Sequence, residues 1–344
     1  MQLNFLGSNF RETDGYGRYN NRLMAALEQM GVTVCPQHTE MANAVGWIQA
    51  RAGLDWERLT ISCLPPYFLN RVPGRHWLLS MTEGDQAPRG WVDLINGSGV
   101  ERMIVPCEHN ADVFRRGGVT CPIHVIPGGT DPEEFPYAPK TWGQGEHYTF
   151  LALADRGARK GWVEVWQAFY KAFGTPDQTP DVRLIIKSRP DGNDMLELIR
   201  NAERPDPRIT ILMEDMDMRA FYAMGDCYAA PSRSEGWGMT QREAACQGLP
   251  VIVQAHAGLD DGHTHEWAFV VDGGHLEPIP THFEHIAGQW MKADVAALAD
   301  MMRLCYTRPH MAAQWGAAGA QWIRENQTWR HSAKALIELI GEMG

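Results

Sequence analysis

No CxxC pair occurs among the seven cysteines of this chain, Cys35, Cys63, Cys107, Cys121, Cys227, Cys246 and Cys305. Odd in number and scattered, they exclude a disulfide framework and read as reduced thiols of a cytosolic protein. No apolar run approaches the roughly 20 residues of a membrane span. The opening MQLNFLGSNF is too short and too polar for a secretory signal. Stable membrane insertion is not expected, and the chain reads as cytoplasmic. Positive charge is scarce as well: 31 Lys and Arg stand against 42 Asp and Glu, a formal net charge of −11. That argues against a broad basic surface for nucleic acid. A GxGxxG run is also missing. The nearest approach, Gly15-Tyr16-Gly17, holds Asn20 at the third glycine position, so there is no dinucleotide fingerprint. His263, His265, His282 and His285 lie in loop-rich sequence without HExxH spacing. Asp215-Met216-Asp217 is formally DxD, but it precedes a helix at N-cap spacing, and capping is the simpler reading. No metal and no cofactor are expected.

What remains is ample for packed cores. A length of 344 residues exceeds the usual single domain, and 44% of the residues are hydrophobic. Short apolar strands alternate with helical spacings in two successive runs. The first run opens with a strand over 3–7 and a helix over 20–30 carrying Leu23, Met24, Leu27 and Met30. Strands follow over 32–35, 59–64, 77–81, 102–106 and 119–127, with helices over 91–97 and 109–116. Residues 137–147, YAPKTWGQGEH, show Pro, Gly and polar residues without an apolar period and read as a linker. The second run has strands over 148–154, 182–187, 209–212 and 226–230, and helices over 162–173, 194–202 and 218–224. Three further helices, over 294–306, 311–326 and 329–343, close the chain. Two parallel-type α/β halves of similar size are predicted.

Chemistry concentrates in Pro231 to Pro250, PSRSEGWGMTQREAACQGLP. A buried strand leads into a glycine-spaced turn, and a helix follows Met239. Backbone N–H groups converge at such a place and hold an anion without a metal. Gly236 and Gly238 let a ligand approach the backbone. Glu235 and Glu243 bracket the turn. Carboxylates repel phosphate, so these two suit sugar hydroxyls while the backbone takes the phosphate, which suggests a sugar-phosphate ligand. The bland alternative makes Glu243 a first-turn acid facing the helix dipole and Glu235 a solvated loop acid. Glu83, in SMTEGDQAP after the predicted strand 77–81, stands where open α/β sheets place their sites. His109 reads as a surface residue of its helix.

These residues resemble the retaining glycosyltransferases of family 4. Their E-x7-E motif is matched by Glu235 and Glu243, ADRGARKGW (155–162) is similar to their Arg…Lys-Gly element, and VIPGGTDPEEF (125–135) resembles the segment ending their N-terminal domain. The likeness is strong over 101–344 and thin before it. The resemblance implies a GT-B architecture: two Rossmann-like domains facing a central cleft, residues 1–140 for the acceptor and 146–327 for the donor. A C-terminal helix, 328–344, would pack back on the first domain. It implies transfer of a hexose, glucose or mannose, from a UDP-, GDP- or ADP-sugar to a hydroxyl acceptor with retention. Arg156 and Lys160 would neutralise the diphosphate, with Arg159 competing for the role of Arg156. Glu235 would meet the donor sugar, Glu243 the ribose, and the backbone of Gly236, Trp237, Gly238, Met239 and Thr240 the sugar and phosphate. Gly15 and Gly17 are the only candidates for the family's glycine-rich N-terminal loop. Where the family often carries a histidine, Glu83 stands nearest. The acceptor is open between a glycan, a lipid-linked precursor, a small molecule and a hydroxymethylated DNA base, for the last of which Arg11, Arg18, Arg22, Arg71, Arg75 and Arg89 are conceivable contacts. Rival readings are a sugar-nucleotide-binding protein without turnover and a sugar-nucleotide epimerase.

Overall fold

A computed structural model describes residues 1–38, 53–140, 147–154, 157–190, 206–283 and 285–342. The predicted helix 194–202 and part of the predicted linker lie outside them. The chain divides into two compact units.

Unit 1 comprises Met1–Asp131, Ile279–Gln289 and Gln327–Gly344. Its sheet holds β1 (Gln2–Gly7), β2 (Thr33–His38), β3 (Thr60–Cys63), β4 (His76–Leu79), β5 (Arg102–Val105) and β6 (Ile123–Val125) in the order β2-β1-β3-β4-β5-β6. Every neighbouring pair is parallel. Parallel sheets are covered on both faces, which is why β3 and β4 are buried at every residue instead of alternating. β6 is shorter than predicted; Pro122 and Pro127 flank it, and proline cannot donate to a ladder. The first helix, Gly15–Gln29, begins five residues earlier than predicted, because the Asp14 carboxylate caps it and accepts from Gly17 N–H at 3.1 Å. Gly15-Tyr16-Gly17 is therefore its first turn. Leu23, Met24 and Leu27 form its buried stripe.

The final helix, Trp329–Gly341, belongs to unit 1 and packs on the first helix as expected. Trp329 sets its ring edge-on to Tyr19 with centroids 4.7 Å apart. Backbone bonds join Thr130 to Gln327 and Trp329 at 2.9 and 3.1 Å.

Unit 2 comprises Pro132–Pro278 and Trp290–Asn326. Its sheet holds β7 (Tyr148–Leu153), β8 (Val182–Ser188), β9 (Ile209–Met213), β10 (Cys227–Ala230), β11 (Val251–Val253) and β12 (Phe269–Val270) in the order β12-β11-β10-β7-β8-β9. The described pairings are again parallel. One face is covered by the helices Trp162–Phe173 and Val295–Thr307 around Phe150, Phe169 and Phe173. Strand order reverses beside β7, with β8 on one side and β10 on the other. Such a switch point opens a crevice at the carboxyl ends of the strands. The sequence reading had no strands where the ribbon β13 (His275–Pro278) and β14 (Gln289–Lys292) runs. β13 is mostly exposed and gives no apolar alternation to read. Asp217 caps the helix Met218–Ala223, accepting from Arg219 N–H at 2.7 Å, so the DxD run is a capping site.

Candidate functional site

In unit 2, the turn after β7 and the turn after β10 flank the switch point, and their charged side chains meet there. The first turn is a 3-10 segment, Gly157–Lys160, ended by Gly161 at φ +71°. The second runs from Pro231 to Gly238 and is buried throughout. Arg233 N–H donates to the Arg159 carbonyl at 2.8 Å and locks the two turns together. Lys160 Nζ then lies 2.7 Å from Glu235 Oε1, and Arg159 Nη1 lies 3.0 Å from Glu235 Oε2. Gln241 Nε2 approaches Glu235 Oε1 at 3.4 Å. Burial alone would raise the Glu235 carboxyl; Lys160 and Arg159 outweigh it and hold the group down at about 2. Glu235 is a carboxylate at any physiological pH.

Arg156 lies outside the described residues. Among those described, Arg159 is the arginine that reaches Glu235, and its Nη1 also donates to the Ser234 carbonyl at 2.9 Å.

The helix Met239–Gln247 starts at Gly238, whose φ of +82° suits glycine; a Cβ there would strike the Leu259 side chain. Its first N–H groups have no intrahelical acceptor and carry the positive end of the dipole. Residues 241–247 are all buried, so this helix has no solvent face. Glu243 Oε2 accepts from Tyr222 Oη at 3.1 Å, and the same hydroxyl lies 2.9 Å from the Thr240 carbonyl. Thr240 Oγ1 lies 3.4 Å from Tyr228 Oη. Trp237 is 2% exposed. Its ring packs on the Arg242 guanidinium, 3.6 Å from centroid to carbon, so the indole serves as a packing partner.

Two further arginines brace the turn, and the sequence reading missed both. Arg233 Nη2 is 2.5 Å from Glu164 Oε1, and Nη1 pairs with Glu277 Oε1 on β13. Trp290 Nε1 donates to the same Glu277 oxygen at 3.1 Å, and its ring lies 5.4 Å from the Arg233 guanidinium. Arg242, fully buried, pairs with Asp261 at 2.5 Å. The available signal was a charged residue inside a segment with no polar face, since such a charge has to be paired.

In unit 1, Glu83 is half-buried in the loop after β4. That loop is tied from three sides. Met81 N–H donates to Tyr16 Oη at 3.2 Å, and Tyr16 Oη lies 3.3 Å from Ser80 Oγ. Burial pushes the Tyr16 phenol well up, so it stays protonated. Thr82 N–H donates to Asn110 Oδ1 at 2.5 Å, and His109 Nε2 lies 3.1 Å from the Gly84 carbonyl. His109 is therefore half-buried against the Glu83 loop and not the surface residue predicted. Asp85 Oδ1 accepts from Gln289 N–H at 2.7 Å, in the segment Ile279–Gln289 that joins unit 1. Gly17 is buried and Gly15 exposed in the helix turn that carries Tyr16. Among the described residues no group of three or more His, Cys, Asp or Glu is placed to hold a metal ion.

Residues 141–276 match the family described as glycosyl transferases group 1. A GDP-mannose-dependent alpha-(1-6)-phosphatidylinositol monomannoside mannosyltransferase of Mycolicibacterium smegmatis is 30% identical over 248 residues, 65% of this chain. The chain spans 57% of that relative's length. Sucrose-phosphate synthase from Thermosynechococcus elongatus superposes with a TM-score of 0.71 at 15% identity, covering 100% of this chain and 99% of that one. HepE from Anabaena, solved in complex with UDP-glucose, gives 0.70 at 14% identity, covering 99% of this chain and 100% of its own. The two six-stranded Rossmann-like units are those of the GT-B fold.

Proposed function

We propose that this chain, whose residues 141–276 match the family described as glycosyl transferases group 1, is a retaining hexosyltransferase using a nucleotide diphosphate sugar. The buried cluster of Arg159, Lys160 and Glu235 at the switch point carries the reading. Buried ion pairs contribute little stability beyond what apolar residues of the same volume would give, because desolvation offsets their attraction. Two cations and a carboxylate held beside a helix N-terminus make better sense as a site for charge that develops in a reaction. In transfer, the bond from the anomeric carbon to the β-phosphate oxygen breaks, and an acceptor hydroxyl oxygen bonds to the carbon on the same face. The hydroxyl proton leaves with the diphosphate. Lys160, with Arg159 and Arg156, neutralises the leaving diphosphate. Glu235 holds donor-sugar hydroxyls, Glu243 the ribose, and the backbone of Gly236 to Thr240 the sugar and phosphate. In unit 1, Glu83 serves the acceptor side, and Gly15 and Gly17 the diphosphate.

GDP-mannose is the first donor to try, since the mycobacterial relative's name specifies it, and UDP-glucose is the second. The acceptor is a hydroxyl of a glycan or small molecule. A DNA-base acceptor is less well supported: of the arginines it would need, Arg22 pairs with Glu12 and Arg75 with Glu101. The test incubates the purified chain with UDP-, GDP- and ADP-hexoses and follows free nucleoside diphosphate, with NMR of the product's anomeric proton. Release of diphosphate and an unchanged anomeric configuration are expected. Binding with no hydrolysis or transfer from any donor would overturn the enzyme reading in favour of a binding protein.

A further inference from the structure

Arg242 is fully buried, and its guanidinium is engaged by backbone carbonyls and by a carboxylate. Nη1 donates to the Trp237 carbonyl and lies 3.4 Å from the Gly238 carbonyl. Nη2 lies 3.2 Å from the Gly258 carbonyl and 2.5 Å from Asp261 Oδ2. The guanidinium carbon also lies over two indole rings, 3.6 Å from the Trp237 centroid and 4.9 Å from that of Trp267. No peptide bond described is cis, and in a trans peptide the N–H points opposite to the C=O. Drawing the carbonyls of Trp237 and Gly238 inward to Arg242 therefore turns the N–H groups of Gly238 and Met239 outward. Those amides open the helix Met239–Gln247, where an anion is favoured. Gly258 N–H donates to the Glu235 carbonyl at 2.8 Å, so the segment that Arg242 grips from one end is tied to the carboxylate's backbone at the other.

We infer that Arg242 is a positioning residue that orients the Gly238 and Met239 amides toward the distal phosphate of the bound nucleotide. This rests on the functional reading above. Arg242 works through the backbone and supplies no charge to the ligand directly. Its effect is read on the second phosphate, because it acts on the Gly238 and Met239 amides while the reading above gives the ribose to Glu243.

The test compares nucleoside diphosphates with monophosphates (UDP and UMP, GDP and GMP, ADP and AMP) by calorimetry on the full chain. In Arg242→Lys the affinity gained from the second phosphate falls about tenfold, the scale of a charge-assisted hydrogen bond, while monophosphate affinity stays within about twofold. A parallel loss for both nucleotides would assign Arg242 to packing and overturn the inference. A second readout needs no variant. In the wild-type chain, hydrogen exchange at Gly238 and Met239 slows with the diphosphate and not with the monophosphate; diphosphate binding without that protection also overturns it. A wild-type chain that binds none of these nucleotides removes the functional reading itself, and this inference with it.

Discussion

Glu235 is the residue on which the site's electrostatics turn. Burial raises its carboxyl, and Lys160 and Arg159 more than reverse that, leaving it at about 2 against the ordinary 4.5. A depressed carboxylate contributes stability above its unfolded value and loses it as the pH falls through the folded one. The window here runs from about pH 4.5 down to 2, and the amount is on the order of 3 kcal/mol. Glu235→Gln removes both the charge and the pH dependence. Its stability deficit relative to wild type is expected to be fullest at pH 7 and to close between pH 4.5 and 2, followed by urea unfolding; a deficit of constant size would refute the ion-pair account. The same variant separates binding from chemistry. Without its carboxylate partner the cation pair meets a diphosphate unopposed, so diphosphate affinity holds or rises while turnover falls about 10²-fold. A matched fall in both would place Glu235 elsewhere in the mechanism. Much at this scale was legible beforehand. Glu235, Glu243 and Lys160 were named from spacing and resemblance, because their chemistry is written in residue type. Arg233 and Arg242 were not, because what marks them is the depth at which the fold buries them.

At the scale of elements, the site depends on two turns at adjacent strand ends keeping register. Gly161 holds that register. It ends the 3-10 segment at φ +71°, and a Cβ there would strike the Pro231 carbonyl, which is backbone and cannot swing aside. Gly161→Ala combines a left-handed conformation, costing about 1 kcal/mol, with a displacement of one turn against the other. Loss of about 2 kcal/mol in denaturant unfolding is expected, with diphosphate affinity falling in step. Stability within about 0.5 kcal/mol of wild type would show that the turns slide freely. Elements with a strong period were readable: the helix Trp162–Phe173 coincides with its predicted span, and β7 to β10 lie where apolar runs placed them. The first helix was misjudged at its start because Asp14 extends it through two glycines, overriding their low propensity. The ribbon β13–β14 went unread because its fixing contacts, Glu277 to Arg233 and Trp290 to Glu277, are long-range pairings of isolated residues.

At the scale of the whole molecule, the chain does not finish unit 1 before starting unit 2. It leaves at Asp131, returns for Ile279–Gln289, and returns again at Gln327. The last return was implied by resemblance, whereas the middle one was not, since nothing in residues 279–289 marks them as other than loop. Both returns complete unit 1. The middle segment ties down Asp85 two residues from Glu83, and the final helix covers the first one. The final return has a measurable consequence. Trp329 is 6% exposed and seated on Tyr19, and removing a buried tryptophan costs about 3–5 kcal/mol. If the units hold separate cores, Trp329→Ala lowers the stability of unit 1 by that amount and leaves unit 2 near wild type. Hydrogen exchange resolves the two: amides of β1 and the helix Gly15–Gln29 lose protection, while those of β10 and the helix Met239–Gln247 keep it. Nucleotide affinity, which the reading above assigns chiefly to unit 2, then stays unchanged as transfer to acceptor falls. Equal loss of protection in both sheets would mean that the two units unfold as one, and that the final helix stabilises the donor site as much as its own.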